Sequence, residues 1–185
     1  MAAHTSATAL PLAAISYEPG YPINDLLDAV RTMLLAEGIR IGGATQENTG
    51  PHDGCEQMTL VNIATGERTR ISQNLGAQAT GCRLDPAALT AFGSLLDAAI
   101  GEGVDLLIVN KFGRAESEGH GLRGLFTRAV DAGIPVLTAV RAPYSEAWAE
   151  FHEGYASDLP ADLAAVAAWC RGHVKTRDKL LGSQA

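Results

Sequence analysis

Apolar runs of strand length alternate along the chain with segments whose apolar residues recur at helical spacing. Continuous apolar runs predict buried strands at residues 10–15, 39–45, 104–109 and 134–140. Helical spacing predicts helices over residues 25–37, 86–101, 122–132, 145–152 and 160–173. Strands that alternate with helices pair in parallel, so the pattern predicts a three-layer α/β domain with a mostly parallel sheet.

Turn and capping residues indicate where the predicted helices and strands begin and end. We expect Asn24 or Asp25 to cap the first helix and Gly38 to end it, and Asp85 with Pro86 to begin the second. Two β-rich segments, 58–63 and 68–71, flank a glycine-containing turn and predict a β-hairpin, whose edge could pair between subunits. Residues 46–56 are turn-rich and predict a loop. The domain is expected to span residues 10–174, between flexible ends at 1–9 and 175–185.

Composition narrows the class of protein. The chain has 185 residues, 46% of them hydrophobic, and a formal net charge of −7, which suits one globular domain and argues against broad binding to nucleic acid or anionic membrane. An odd count of three cysteines without a C-x-x-C pair indicates a reducing compartment. With no basic leader and no long apolar run, we expect a soluble cytoplasmic protein. Lys111 is the only lysine before the C-terminal tail.

The loop after the first strand lies where a phosphate-binding loop would lie, but it lacks the motif G-x-x-x-x-G-K-[ST]. Ile23 stands at the lysine position, and Pro22, which has no N–H, replaces the second glycine. Glu18 would repel a polyphosphate. By motif alone, this segment is an ordinary loop.

The order of elements over residues 10–142 nevertheless resembles that of the small P-loop nucleoside-triphosphatases first described in thermophiles. The similar segments include Gly-Ile-Arg-Ile-Gly-Gly at 38–43 and Asn-Ile-Ala-Thr-Gly-Glu at 62–67. In that family the later strand ends in an Asp-Glu site for metal and water, whereas here it ends in Asn110 and Lys111. The resemblance implies a P-loop-like fold with a hairpin insertion, in a descendant that no longer hydrolyses nucleotides in the usual way.

A closer resemblance rests on Gly81-Cys82-Arg83-Leu84-Asp85 and on the segment 110–123, which reads Asn-Lys-Phe-Gly-Arg-x-Glu-x-x-Gly-x-Gly-Leu-Arg. Both are similar to a bacterial domain-of-unknown-function family whose members are often encoded beside genes for molybdate uptake or molybdenum enzymes. That resemblance implies a part in molybdenum homeostasis.

The loop after the fifth predicted strand segment combines cations with glycines just before a helix. Exposed N–H groups there, together with guanidinium and ammonium groups, suit a small tetrahedral oxyanion such as molybdate, tungstate, sulfate or phosphate. The candidate anion-binding residues are Lys111, Arg114, Gly119, His120, Gly121 and Arg123, with the backbone N–H groups of 119–123 as further donors. The alternative is a plain loop in which Glu116 and Glu118 pair with Arg114 and Arg123.

Further polar residues lie near predicted strand ends or turns. These secondary candidates are Tyr17, Asn24, Ser72, Gln73, Cys82, Arg83 and Asn110. No residue is assigned a catalytic role or a metal, and no cofactor is expected to be required beyond a bound molybdate or tungstate, or alternatively phosphate, sulfate or nucleotide.

Three functions remain open at this point. The first is a non-hydrolysing oxyanion-binding protein for storage, delivery or sensing, expected to be a homo-oligomer without membrane insertion. The second is an atypical nucleotide hydrolase or transferase that uses Lys111, with Mg²⁺ held by Asp25 or Glu116. The third is a regulatory interaction protein with a vestigial site.

Overall fold

A computed structural model describes residues 11–50, 57–73 and 84–174. Within them the strands are β1 (Leu12–Tyr17), β2 (Ile41–Thr49), β3 (Gln57–Asn62), β4 (Arg68–Arg70), β5 (Leu106–Val109), β6 (Val136–Arg141) and β7 (Ala156–Leu159). The helices are α1 (Ile23–Ala36), α2 (Pro86–Gly101), α3 (Arg114–Ser117), α4 (Arg123–Asp131), α5 (Ser145–His152) and α6 (Leu163–His173). None of these described helices is long and apolar enough to cross a membrane.

The described strands form one sheet in the order β4-β3-β2-β5-β6-β1-β7. Five neighbouring strands of this order, β2, β5, β6, β1 and β7, run parallel to one another. At one edge of the sheet, β3 pairs antiparallel with β2 and β4 pairs antiparallel with β3. The predicted α/β class, the mostly parallel sheet and the hairpin are confirmed. Parallel strands end at the same edge of a sheet, so the loops after β1, β5 and β6 meet along one border of the molecule.

Two apolar clusters cover the faces of the sheet, as expected when both faces of a parallel sheet are buried. Leu107 and Val109 of β5 belong to the cluster that contains α2, α4 and α5, while Leu106 and Ile108 belong to the one that contains α1 and α6. Burying such a side chain contributes about 1.5–3 kcal/mol. This alternation fixes the register of β5 and hence the direction in which its polar continuation leaves the core.

Gly43 lies where β2 changes partners, from parallel pairing with β5 to antiparallel pairing with β3. Its φ of +103° is in the region that favours glycine, and a Cβ there would collide with the carbonyl group of Ile108. Glycine therefore permits the close approach of β2 to the central strand.

The predicted cap of α1 is wrong. The helix begins at Ile23 with Pro22 as its N-cap, and no side chain caps it, so Asn24 and Asp25 lie within its first turn. Pro19 and Gly20, the latter at φ +86°, form a turn closed by the Tyr21 N–H, which donates to the Glu18 carbonyl at 3.1 Å. This turn starts the helix early and leaves the Asn24 side chain available for another contact. Gly38 ends α1 as predicted, with φ +80°, and Asp85 caps α2 as predicted.

Other expected bounds also change. Residues 46–49 continue β2 instead of forming a loop, because they pair with β3; β7 lies between two helices where no strand was expected. The hairpin is not isolated, since β3 pairs with β2, and β4 is a three-residue edge in which Arg68 pairs with Glu47. A short, charged edge disfavours pairing with another chain. The predicted flexible ends 1–9 and 175–185, and residues 51–56 of the predicted loop, lie outside the described residues.

Candidate functional site

β5 ends in a bulge at the carboxyl edge of the sheet. Ile108 pairs with Leu137 of β6, and the next bridge joins Phe112 to Val140. The chain therefore advances by four residues after Ile108 over a stretch in which β6 advances by three. The extra residue falls in the segment that contains Asn110 and Lys111. Bulges turn side chains out of the regular ladder and are common beside functional sites.

Four amide side chains form a hydrogen-bonded chain at this edge, here named the amide chain: Asn24, Asn110, Gln46 and Asn48. Asn110 Nδ2 donates to Gln46 Oε1 at 3.2 Å and, more weakly, to Asn24 Oδ1 at 3.5 Å. Gln46 Nε2 donates in turn to Asn48 Oδ1 at 2.7 Å. The chain thus joins α1, β5 and β2, three elements far apart in sequence.

Asn110 is the buried member of the amide chain, with 3% of its surface exposed. Its Oδ1 atom is buried and has no hydrogen-bond partner among the described residues. A buried polar atom of this kind costs about 1–3 kcal/mol when it stays unpaired. Three other buried atoms of the described residues also have no partner: Thr138 Oγ1, Trp148 Nε1 and Trp169 Nε1. Asn110 differs from them because it follows the central strand at the carboxyl edge of the sheet, where ligands bind in this class of fold.

Arg141 ends β6, the strand next to β5, and is paired in register with Tyr17 at the end of β1. It is half-buried, and none of the described carboxylates pairs with it; its Cζ lies 6.0 Å from the centre of the Tyr144 ring. Burial raises the pKa of the Tyr17 phenol, although the Arg141 guanidinium acts in the opposite direction. Tyr17 is therefore a neutral hydroxyl at pH 7, able to donate or accept a hydrogen bond.

We refer to Tyr17, Asn24, Asn110, Lys111 and Arg141 as the strand-end site. Lys111 is half-buried and already takes part in a contact within the protein. Neighbouring strands lie about 4.8 Å apart, so these residues follow one short stretch of the sheet border. The five side chains comprise two cations, two amides and a phenol, and that set of groups suits an anion better than a metal cation. Glu18, the residue after Tyr17, lines a cleft with Tyr17 and adds a carboxylate at this border.

A different arrangement occupies the loop that follows Phe112. The Glu116 carboxylate, 6% exposed as a residue, accepts hydrogen bonds from the backbone N–H of Gly113 at 3.0 Å and of Leu122 at 2.9 Å. Gly121 has φ +65°, and a Cβ there would press on the Glu116 carboxylate. Residues 113–123 are here named the Glu116 loop, because this side chain already supplies the anion to which the loop's N–H groups point.

The expectation that the backbone N–H groups of 119–123 face a ligand is wrong for most of them. Gly119 N–H donates to the Glu116 carbonyl at 3.1 Å, His120 N–H to Ala115 at 3.0 Å and Arg123 N–H to His120 at 3.3 Å. Since Leu122 donates to the Glu116 side chain, four of the five groups have acceptors inside the loop.

The side chains of the loop are also engaged. Arg114 Nε lies 2.8 Å from Glu118, whose other oxygen is 3.3 Å from His120 Nε2. Arg123 donates to the Glu116 carbonyl at 3.2 Å and stacks at 4.7 Å on the Phe151 ring. The plain-loop alternative thus describes Arg114 correctly, while Arg123 binds a carbonyl oxygen and a ring instead of a carboxylate.

The Arg114 side chain is 80% exposed and lies in acidic surroundings. Its hydrogen bond holds the pKa of Glu118 below the ordinary value. The open cleft of about 540 Å³ beside it carries Glu118, Glu146 and Glu150 as well. Three carboxylates around one guanidinium would repel an oxyanion.

The remaining sequence candidates lie either away from the strand-end site or outside the described residues. Ser72 Oγ accepts from Met58 N–H at 3.1 Å at the antiparallel edge, where Gln73 follows it, so neither joins the strand-end site. Cys82 and Arg83 lie outside the described residues. Sequence reasoning missed Gln46, Asn48 and Arg141. The rule that ligands bind at strand ends could have found Arg141, which directly follows an apolar run.

Solved structures with the same fold are nucleoside-triphosphatase-like. THEP1 from Aquifex aeolicus superimposes with a TM-score of 0.62 at 13% identity, covering 87% of this chain and 95% of that one. The solution structure of a human cancer-related nucleoside triphosphatase gives a TM-score of 0.55 at 13% identity, covering 94% and 99%. At this identity the likeness shows the fold alone, and it confirms the P-loop-like architecture.

A protein related in sequence is named for molybdenum import. The molybdenum import ATP-binding protein ModC 2 of Bradyrhizobium diazoefficiens is 38% identical over 161 residues, which is 86% of this chain but 18% of that protein. The chain therefore spans less than a fifth of that relative's length. A family model described as "Protein of unknown function (DUF2478)" matches residues 12–169, so the chain belongs to the DUF2478 family.

Proposed function

We propose that the protein binds a small tetrahedral oxyanion, molybdate or tungstate, at the strand-end site and does not hydrolyse a nucleotide there. The observation that carries this proposal is Arg141, a half-buried arginine at the end of a central strand that pairs with no described carboxylate. The planar N–H groups of a guanidinium match two oxygens of an oxyanion, and no described carboxylate occupies them here.

The neighbouring groups complete a set of donors. Tyr17 is a neutral hydroxyl that can donate a hydrogen bond, and Lys111 adds positive charge at the end of β5. Of the donors expected from sequence, Lys111 is retained in this proposal for its place at the end of β5, and its charge there acts together with the contact it already makes within the protein. Arg114, His120 and Arg123 are set aside because carboxylate, carbonyl and ring partners already engage them.

The absence of hydrolysis follows from the groups that are present. In the loop after β1, Tyr21 N–H donates to Glu18 and Ile23 N–H donates to Tyr21, while Pro19 and Pro22 have no N–H, so few backbone donors are left to cradle a polyphosphate. Asn110 stands where the resembled hydrolases have an acid, and an amide cannot activate water as a base. Glu116, considered as a Mg²⁺ ligand, is committed to two backbone N–H groups.

Molybdate and tungstate are favoured by the relative named for molybdenum import, since this chain shares 38% of its aligned residues with that protein. Storage, delivery and sensing would all use the same binding step. Each requires reversible capture of the anion without chemical change.

Isothermal titration calorimetry tests the proposal with sodium molybdate, tungstate, sulfate and phosphate, and with ATP in the presence of Mg²⁺. We expect heat with molybdate and tungstate. Arg141→Ala should weaken molybdate binding by about tenfold or more, because a hydrogen bond to a charged group is worth about 1.5–3 kcal/mol. Arg31→Ala, which removes an arginine already paired with Asp28 at 2.7 Å, is the matched control and should leave the affinity unchanged.

Two results would contradict this assignment. Heat with ATP alone, or with none of the oxyanions, removes the proposed ligand; ATP turnover abolished by Lys111→Ala would establish the hydrolase instead. Molybdate binding that depends on Arg114 and His120, but not on Arg141, would return the site to the Glu116 loop.

A further inference from the structure

We infer that a cleft between the ends of β1 and β6 binds a small organic ammonium ion, with the Glu18 carboxylate as its counter-charge. The ligand class is a protonated primary amine on a short alkyl stem. This inference goes beyond the proposed function and does not depend on it, since Glu18 takes no part in the proposed oxyanion binding.

The cleft is open to a ligand from solvent. Its volume is about 320 Å³, and pockets for small ligands begin at about this size. Most of its lining residues are exposed, Glu18 among them, whereas Val140 at its floor is buried. A small molecule can therefore reach the polar groups of the cleft without any movement of the core.

The position of the cleft in the sheet favours ligand binding. β1 and β6 are neighbours, but the helices that follow them lie on opposite faces: α1 packs in one apolar cluster and α5 in the other. Two neighbouring strands whose chains leave to opposite faces open a crevice at their carboxyl ends, and ligands of open α/β sheets bind in such crevices. Residues that follow both strands line the cleft, so it occupies this crevice.

The polar groups of the cleft are rich in acceptors and poor in donors. They are a carboxylate and four hydroxyls, from Glu18, Ser16, Tyr17, Tyr21 and Ser145. None of the described residues that line the cleft is an arginine, lysine or histidine. The flanking loops contain Pro19, Pro22 and Pro143, which have no backbone N–H to offer.

Several of these acceptors are not used within the described part of the chain. The Glu18 carboxylate makes no hydrogen bond or ion pair with another described residue, and neither do the hydroxyls of Ser16 and Ser145. The Tyr21 hydroxyl, by contrast, donates to the Ala161 carbonyl at 2.9 Å. That bond ties the loop after β1 to the segment before α6 and fixes one wall of the cleft.

An ammonium ion matches this set of groups. It has three N–H donors and no acceptor, and its hydrogen bonds to a carboxylate are charge-assisted. Val140, Ala142 and Ala161 give the cleft an apolar side against which a short alkyl stem can pack. An oxyanion would instead meet the negative charge of Glu18, which is repulsive.

The test is a titration with n-butylamine hydrochloride at pH 7, followed by the amide signals of the protein in NMR spectra. The amine is protonated under these conditions, as a lysine side chain is. We expect saturable shifts of the backbone amides of Ser16, Glu18 and Ser145. The neutral alcohol n-butanol has the same stem without the charge and should give no saturable shift.

Two variants carry the same change of charge. Glu18→Gln should weaken butylammonium binding by about tenfold or more, because it removes a charge-assisted hydrogen bond. Glu67→Gln is the matched control at an exposed position in the turn between β3 and β4, and it should change the affinity by less than about twofold, because salt screens distant surface charges. Thermal unfolding of each variant confirms that both are folded.

Three results would overturn the inference. The first is a set of shifts that grow in proportion to the amine concentration without saturating. The second is an equal loss of affinity in Glu18→Gln and Glu67→Gln, which would show a general effect of net charge. The third is equal binding of n-butanol, which would show that the cleft recognises the stem alone. None of these measurements uses molybdate, so the proposed function stands or fails separately.

Discussion

Two polar regions flank the end of β5, and they differ in how their donors and acceptors are paired. In the Glu116 loop, one buried carboxylate takes two backbone N–H groups, and the arginines contact Glu118, a carbonyl and a ring. In the strand-end site, a buried amide oxygen has no described partner and Arg141 meets no described carboxylate. Each region carries two side chains that are cationic at neutral pH, so charge alone does not distinguish them.

Groups that are paired within the protein contribute to its stability, whereas unpaired groups are available to bind a ligand. Groups that satisfy one another hold a loop in shape, and their removal costs folding free energy. Groups left unsatisfied lower stability in the free protein and become useful when a ligand arrives. We therefore expect substitutions in the Glu116 loop to reduce stability while oxyanion affinity persists, and substitutions in the strand-end site to do the opposite.

Glu116→Ala should have the largest effect on stability. It leaves the N–H groups of Gly113 and Leu122 without their acceptor, at a cost of about 1–3 kcal/mol each, so we expect a loss of about 3 kcal/mol in the free energy of unfolding. Urea denaturation measures it. Glu116→Gln keeps one acceptor oxygen and should lose about half as much. A loss below about 0.5 kcal/mol for Glu116→Ala would show that the carboxylate does not organise the loop.

Gly121→Ala should lose about 2 kcal/mol, from the cost of a left-handed residue and from the displaced Glu116 carboxylate. Gly119→Ala provides the comparison, because Gly119 has a similar positive φ but nothing within 4 Å of its would-be Cβ. It should lose only about 1 kcal/mol, the conformational cost. Equal losses in the two variants would mean that contact with Glu116 contributes nothing.

Asn110→Leu tests the other region. Leucine keeps the branching of the side chain but is larger, and it removes the unpaired Oδ1 together with two hydrogen bonds to side chains that can reach water. The gain from removing the unpaired atom offsets part of the cost of overpacking, so stability should fall by no more than about 2 kcal/mol. Molybdate affinity should nevertheless fall by about tenfold or more. Unchanged affinity in calorimetry would remove Asn110 from the site.

Arg114→Ala should have the smallest effect. Its ion pair with Glu118, four residues further along the chain, is exposed to solvent, and such pairs contribute little to stability. Denaturation should show only a marginal change, and molybdate titration should show none. A large loss of affinity would instead favour the loop as the binding region.

Much of the fold follows from local signals. The apolar run of β5, the helix after it and the strand β6 are each recognisable alone, and Gly38 and Asp85 act within one turn of their helices. The strand residues 46–49 and the edge strand β7 depend on partners distant in sequence, so their polar sequences read as loops. Asn24 resembles a capping residue, but its helix begins at Ile23, with the cap two residues before the predicted position.

Part of the candidate site could also be predicted from local signals in the sequence. Asn110, Lys111 and Tyr17 stand directly at the ends of apolar strands, where ligands bind. Gln46 contacts Asn110 across 64 positions of sequence, and Asn24 contacts it across 86, so no local pattern links them. The charges of Glu116 and Arg123 can be read from the sequence, but their contacts cannot. Glu116 turns inward to backbone N–H groups, and Arg123 stacks on Phe151.

Crystals grown with sodium tungstate locate the bound anion, because tungsten gives a strong anomalous signal. We expect one principal anomalous peak at the carboxyl ends of β5 and β6, within hydrogen-bond distance of the Arg141 guanidinium. A peak beside residues 119–123, or no peak at the strand ends in crystals of a protein that binds tungstate in solution, would contradict it.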